Sequence, residues 1–276
     1  WSATENITSR RRSFPPMARS FDTIEWSFDE PSGIGRVVLD RPDSLNALSA
    51  TLRTEFDEAF AAFRDLDESA DGVAVRAVVV SGAGRAFCVG ADVDEFAEGT
   101  DLTHPEMVYE AASQFAGPVV AEIDGYCLGG GLVLALSCDF RFASERSEFG
   151  LPEVDLGIPT VGGGLGALRA AVGPSRAKRL AVTGERFDAE RAAADGIVSE
   201  ALPNEELSER VDSFAETIAS KPPLAVRSSL DIVEAYGHEP PAQLERREDQ
   251  RLRQSEDYRE AVAAFREDRE PEFDGR

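Results

Sequence analysis

Lysine is nearly missing from this chain of 276 residues: it occurs only at Lys178 and Lys221, so the 29 basic residues are almost all arginine. Acids outnumber bases by 52 to 29 and leave a net charge of −23. So acidic a surface repels phosphates, which argues against a nucleic-acid partner. Histidine is equally scarce, at His104 and His238 alone. His104 precedes Pro105 and His238 lies in the Gly237–Pro241 connection, so both read as structural or exposed. A cysteine–histidine nucleophile is therefore poorly supported, and no Gly-x-Ser-x-Gly turn is present to carry a serine. The three cysteines, Cys88, Cys127 and Cys138, stand in apolar or glycine-rich surroundings without metal-ligand spacing. They are expected to be reduced, buried thiols in a cytoplasmic protein, with no metal site. No run approaches the ~18 uninterrupted apolar residues of a membrane span, so no membrane association is expected.

What remains is a normal core composition. Hydrophobic residues make up 42% and aromatics 8%, which excludes an acidic disordered chain. A folded protein with a strongly acidic coat suggests a high-salt cytoplasm, where ions screen the self-repulsion. Residues 1–16 differ from the rest, carrying Arg10-Arg11-Arg12 and ending Phe14-Pro15-Pro16 before Met17. They are expected to be an extension outside the fold, with the native start at Met17. A transit peptide is the alternative, although no good amphipathic helix is visible there. Residues 17–276 are expected to form one domain, mainly helical from about residue 200.

The hydrophobic pattern predicts paired strands at Ile24–Phe28 and Ile34–Asp40, then a helix capped by Ser49 with Leu52, Phe56, Phe60 and Phe63 on one face. Ala77–Val80 reads as a buried parallel strand, Gly82–Gly90 as a loop, and Pro105–Phe115 as a helix. Strands at Val119–Ile123 and Phe140–Ala143 flank a helix at Leu132–Leu136. A short strand at Ile197-Val198 and helices at Glu205–Ala219, Leu224–Tyr236 and Ala242–Phe265 complete the reading. The rhythm implies an α/β fold with a mostly parallel sheet.

Three segments carry chemistry. Arg85–Asp92 and Asp124–Gly131 each run from a buried-strand pattern into glycine. Such turns free backbone N–H groups, and two that converge would hold an oxyanion; the same glycines also suit plain tight turns. In Leu151-Pro152-Glu153-Val154 a carboxylate stands among apolar residues. Burial would raise its pKa toward that of a useful base, although a lone acid here also fits a solvated loop. Gly162–Ala167 matches Gly-x-Gly-x-x-Ala but lacks the preceding strand that dinucleotide binding needs, so it reads as the glycine-rich start of a packed helix.

Taken in order, the segments resemble the enoyl-CoA hydratase/isomerase (crotonase) superfamily from about Ile24 onward. Arg41–Leu48 looks like that family's opening motif, Phe87–Asp92 like its first oxyanion loop, and Gly125–Gly131 with Cys138–Arg141 like its second. Leu151-Pro152-Glu153 with Leu156–Pro159 resembles its catalytic-glutamate loop, and Phe265–Phe273 its C-terminal signature. The resemblance implies a crotonase-like α/β fold of repeated ββα units with a helical C-terminal region, assembled as trimers or hexamers. It implies catalysis by Glu153 as base, with the backbone N–H groups of Ala91 and Gly130 as oxyanion donors. It implies an acyl-CoA substrate along Asn46, Ala47, Leu48, Cys88, Gly90, Asp92, Gly129 and Val133, with Phe265 closing over it. Coenzyme A is then part of the substrate and no separate cofactor is expected.

Two departures matter. Hydratases of the family carry a second glutamate two positions after the glycine run, and that position is Val133 here. A double-bond shift needs one carboxylate, whereas hydration commonly uses two to hold a water, so isomerisation is the favoured expectation and hydration the alternative. Asp155 and Glu122 are the acids that could enter from elsewhere, and Leu156–Val172 contains none. Positions often basic in relatives are acidic here, including Asp43, Asp94 and Asp268. Arg53, Arg85, Arg169 and Arg269 are the candidates for phosphate contacts. A non-catalytic CoA-binding paralogue remains a further reading, although Glu153 and the glycines are all in place.

Overall fold

The computed structural model describes residues 17–92, 95, 106–235, 241–267 and 269–276. The expectations for residues 1–16, Asp94, His104, His238 and Asp268 therefore fall outside the described residues.

The larger sheet has the order β1 (Met17–Ser20), β2 (Ile24–Asp29), β3 (Ile34–Leu39), β4 (Ala77–Gly82), β6 (Val119–Ile123), β8 (Phe140–Ser144), β11 (Glu200–Leu202). β1, β2 and β3 pair antiparallel and the rest parallel. A smaller sheet has the order β10 (Phe187–Asp188), β9 (Glu148–Gly150), β7 (Tyr126–Leu128), β5 (Ala86–Cys88). β4, β6 and β8 each hand the chain to a short strand of the smaller sheet and then to a helix. β4 and β5 lead to α2 (Glu106–Ser113), β6 and β7 to α3 (Gly130–Leu136), β8 and β9 to α4 (Gly164–Val172). This is the expected repeated ββα unit.

α1 (Ala50–Ser69) forms as its sequence predicts. Ser49 Oγ accepts the Leu52 N–H at 3.2 Å, satisfying one of the unpaired donors of the first turn. Leu52, Phe56, Phe60 and Phe63 are all fully buried. Burying each stabilises the fold by about 1.5–3 kcal/mol relative to exposure. Trp26 stacks on Phe63 with centroids 5.0 Å apart and donates its indole N–H to the Ala59 carbonyl at 3.1 Å. On the sheet's other face, α7 (Asn204–Ala219) buries Leu207, Val211 and Ala215 against Ile34, Val79, Val120 and Phe142. The sheet is covered on both faces, so its central strands read as continuous apolar runs.

α5 (Pro174–Thr183), α6 (Ala189–Ala194), α8 (Pro223–Glu234), α9 (Pro241–Leu252) and α10 (Glu256–Glu267) complete the described helices. The C-terminal tail lies at the end of α1 remote from Ser49: Asp274 O accepts the Val73 N–H at 3.2 Å and Arg276 pairs with Asp71 at 2.7 Å. A 20-residue helix spans about 30 Å, which separates this tail from the chain ahead of α1.

Four sequence expectations change. The 82–90 stretch is not all loop, because Ala86–Cys88 pairs with β7. The late strand is Glu200–Leu202 and not Ile197-Val198, whose buried side chains sit in the turn before it. Ala242–Phe265 is two helices, since the chain turns at residues 253–255 and Ser255 Oγ accepts the Tyr258 N–H at 3.1 Å. β1, β7, β9 and β10 were not anticipated; each is four residues or shorter, too short to show a period.

Candidate functional site

Two loops meet where the smaller sheet gives way to helix. In the first, Leu48 N–H donates to the Gly90 carbonyl at 2.8 Å, and Leu48 forms an isolated parallel bridge with Ala91. Across a trans peptide the Ala91 N–H points opposite to the Gly90 carbonyl, so it faces away from Leu48. In the second, the Gly129 carbonyl accepts Leu132 and Val133 N–H at 2.9 and 3.1 Å, turning it into α3. The Gly130 N–H, on the same peptide, is thereby turned outward.

Gly90, at φ +91°, is what lets these loops touch. A Cβ there would fall 2.7 Å from the Gly130 nitrogen, and one on Gly130 would fall 3.3 Å from the Gly90 Cα. The two outward N–H groups thus belong to loops in contact, as an oxyanion hole requires.

Glu153 stands beside them on a 3-10 turn, Pro152–Leu156. Its Oε1 lies 3.1 Å from where a Cβ on Gly129 would sit, so the carboxylate faces the second glycine loop. Thr160 Oγ1 donates to Oε2 at 3.1 Å. Burial pushes the Glu153 pKa above the ordinary value, and the Thr160 hydrogen bond opposes that shift. A half-buried carboxylate aimed at an apolar, glycine-lined space can take a proton from carbon.

The first loop is held by a pair that the sequence reading missed. Arg41 Nη1 donates to the Ala47 carbonyl at 2.6 Å and to Asp92 Oδ2 at 2.9 Å. Arg41 and Asp92 both lie in the expected motifs, but nothing in their spacing signals the pairing.

Of the sequence-predicted residues, Leu48, Gly90, Ala91, Gly129, Gly130 and Glu153 come together. Cys88 is fully buried beneath them; its Sγ accepts the Gly90 N–H at 3.4 Å, and burial pushes its thiol up to about 12. Asn46, expected to lie along the substrate, turns its side chain into the protein. It is fully buried, its amide donates to Ala83 and Ala86 carbonyls at 3.0 and 2.7 Å, and its Oδ1 accepts the Arg41 N–H at 2.8 Å. Asn46 therefore shapes the loop whose neighbour Ala47 is 7% exposed. Asp92 likewise points to Arg41 and is buried. Val133 packs on α4, where a Cβ on Gly164 would meet its Cγ2 at 2.4 Å. Phe265 is 88% exposed on α10.

Neither extra acid arrives. Asp155 is exposed and its Oδ2 lies 3.2 Å from where a Cβ on Gly184 would sit. Glu122 faces α7, where Ser208 donates to it. Among the phosphate candidates, Arg53 is buried 3.7 Å from Glu95 and Arg269 is forked onto Glu260, while Arg85 and Arg169 are exposed. A cavity of about 970 Å³ opens near the C-terminal tail, with Leu66, Arg76, Lys221 and Phe273 in its wall. It shares no residue with the glycine loops. Among the described residues no group of three or more His, Cys, Asp or Glu is placed to hold a metal ion, and no helix is long and apolar enough to cross a membrane.

Comparison with known proteins points the same way. The profile of the family described as enoyl-CoA hydratase/isomerase matches residues 29–276. The chain is 37% identical to a "Probable enoyl-CoA hydratase" of Rhizobium meliloti (strain 1021), over 87% of this chain and 94% of that one. It is 32% identical to the 2,3-dehydroadipyl-CoA hydratase of Escherichia coli (strain K12), again over 87% and 94%. The crystal structure of an enoyl-CoA hydratase from Bacillus anthracis superposes with a TM-score of 0.85 at 32% identity, covering 92% of this chain and all (100%) of that one.

Proposed function

The chain belongs to the enoyl-CoA hydratase/isomerase family of enzymes, and from that premise we propose that it acts on acyl-CoA thioesters through an enolate. A thioester carbonyl acidifies its α-protons. Glu153 removes one, while the N–H groups of Ala91 and Gly130 take the charge that develops on the oxygen. Coenzyme A is part of the substrate, and no separate cofactor enters. The same carboxyl then returns the proton two carbons along the chain, moving the double bond from 3-enoyl to 2-enoyl.

The observation that carries this reading is the single carboxylate. Glu153 faces the second glycine loop, and Val133, where a second acid would be needed, lies buried on Gly164. A second reading, hydration of 2-enoyl-CoA, is favoured by the names of the relatives, several of which are called hydratases. Product analysis on 2-enoyl- and 3-enoyl-CoA of several chain lengths separates the two. Rapid hydration of the first with the second untouched overturns isomerisation.

Trimers or hexamers fit this proposal, with the 88% exposed Phe265 on α10 as one surface for another copy to cover. The net charge of −23 supports a high-salt cytoplasm as the working medium.

A further inference from the structure

Arg41 grips one turn through both its backbone and its side chain. Its carbonyl accepts the Ser44 and Asn46 N–H groups at 3.0 and 2.9 Å, and its own N–H donates to Asn46 Oδ1 at 2.8 Å. The turn is costly. Leu45 and Asn46 stand in succession at φ +51° and +58°, the only residues other than glycine with positive φ among the described residues. A left-handed leucine persists only where its surroundings impose it, and such positions gather at functional sites. What this turn sets in place is the peptide between Ala47 and Leu48.

That peptide joins Arg41 to the first glycine loop. Arg41 Nη1 donates to its carbonyl, on Ala47, at 2.6 Å. Its N–H, on Leu48, donates to the Gly90 carbonyl at 2.8 Å. The next N–H in line is that of Ala91, because the Gly90 carbonyl and the Ala91 N–H share one trans peptide and point in opposite directions. Two peptides are thus strung head to tail, with a guanidinium at one end and an oxyanion donor at the other. Each hydrogen bond in such a chain polarises the next, by roughly 10–30% per bond. A cation at the head makes the last N–H a stronger donor toward a negative oxygen, and the linked planes keep it aimed. The same Nη1 donates to Asp92 at 2.9 Å, so the carboxylate next to Ala91 is matched by a positive charge. We propose that Arg41 is a positioning residue for the reaction: through the Ala47–Leu48 and Gly90–Ala91 peptides it aims and polarises the N–H that meets the thioester oxygen. This role rests on the enolate reading above and adds to it a charge acting from two peptides away.

The test compares wild type, Arg41→Ala and Arg41→Lys at full length, each well below its own melting temperature. Exchange of the α-hydrogens of butanoyl-CoA in D2O, followed by mass spectrometry, reports enolate formation whether the enzyme isomerises or hydrates. The carbonyl stretch of bound butanoyl-CoA, read by difference infrared spectroscopy, reports how strongly its oxygen is held. Removing a whole oxyanion donor costs about 100- to 1000-fold, so weakening one should cost less. Arg41→Ala is expected to lower the exchange kcat about 10-fold with KM little changed, and to move the stretch toward its solution frequency. Arg41→Lys restores a cation and should recover part of both. A merely structural arginine would lower the melting temperature without moving the stretch of ligand bound to folded protein. If Arg41→Ala does not fold, Arg41→Gln keeps a neutral donor without the charge and serves in its place, with the same expectation. A stretch that stays at its wild-type position, or exchange within about twofold of wild type, overturns the Arg41 role and leaves the enolate reading standing. No exchange by the wild type itself overturns both.

Discussion

Arg41 and Asp92, 51 positions apart in the chain, are joined by a 2.9 Å ion pair that fastens the segment ahead of α1 to the first glycine loop. The Asp92 side chain is 11% exposed and that of Arg41 22%, so water reaches either charge only in part. Arg41→Ala should therefore destabilise the fold by about 1–3 kcal/mol, and adding Asp92→Asn should recover part of that loss. Urea unfolding of both single variants and the double variant measures the coupling. Strictly additive losses would show that the pair does not hold the loop.

Glu153→Gln should keep the fold and acyl-CoA binding but lower turnover at least about 100-fold, the scale of a lost general base. Near-normal turnover would make Glu153 a bystander. The variant should also be more stable than wild type at neutral pH. Because burial raises the folded-state pKa, ionising Glu153 costs stability as pH rises from its unfolded value through the folded one, and glutamine escapes that cost.

The acid limb of the pH–rate profile should lie above 4.5, the ordinary glutamate value, because only ionised Glu153 can accept a proton. Thr160 stabilises the ionised form through its 3.1 Å hydrogen bond. Thr160→Val should move the limb to still higher pH while leaving the plateau rate nearly unchanged. A limb that stays in place would mean that Thr160 does not act on Glu153 in solution.

Val133→Glu should raise the ratio of hydration to isomerisation by placing a second carboxylate near the first. The structure adds a cost: Val133 is 1% exposed and lies against Gly164, so the longer, charged side chain must push α4 aside. A loss of roughly 2–4 kcal/mol is expected from burying a poorly paired charge. Thermal melts alongside product analysis check both effects. An unchanged product ratio in the folded variant would show that the lack of a carboxylate at 133 does not set the outcome.

Salt should stabilise the protein. At a net charge of −23, self-repulsion is greatest when the Debye length is about 10 Å or more, near 0.1 M salt. Melting temperature and activity should rise together between about 0.1 and 3 M KCl, as that length falls to about 3 Å and below. A flat or falling melting temperature would refute a high-salt medium.

The apolar rhythm, the capping serine and the ordered motifs made much of the fold readable in advance. α1 begins where Ser49 predicts, and the buried strand at 77–80 lies inside β4. Glu153 stood out only through the resemblance of Leu151-Pro152-Glu153 with Leu156–Pro159 to a catalytic-glutamate loop, since by spacing alone it fits a solvated loop acid. The short strands of the smaller sheet were not readable, since two or three residues carry no period and gain their hydrogen bonds only from neighbours distant in sequence.

Residue identity alone determined which atoms could do the chemistry: a carboxyl at 153, and glycines where the backbone must come close. Tertiary structure alone decided where those atoms point. The Ala91 N–H faces outward because the Gly90 carbonyl is taken by Leu48, and the Gly130 N–H because the Gly129 carbonyl is taken by α3. Asn46 and Asp92 turned out to be held by backbone carbonyls and by Arg41, so they brace the loops. Direction is set by contacts between segments far apart in the chain, and a linear pattern of residue types does not encode which partner each polar group will meet.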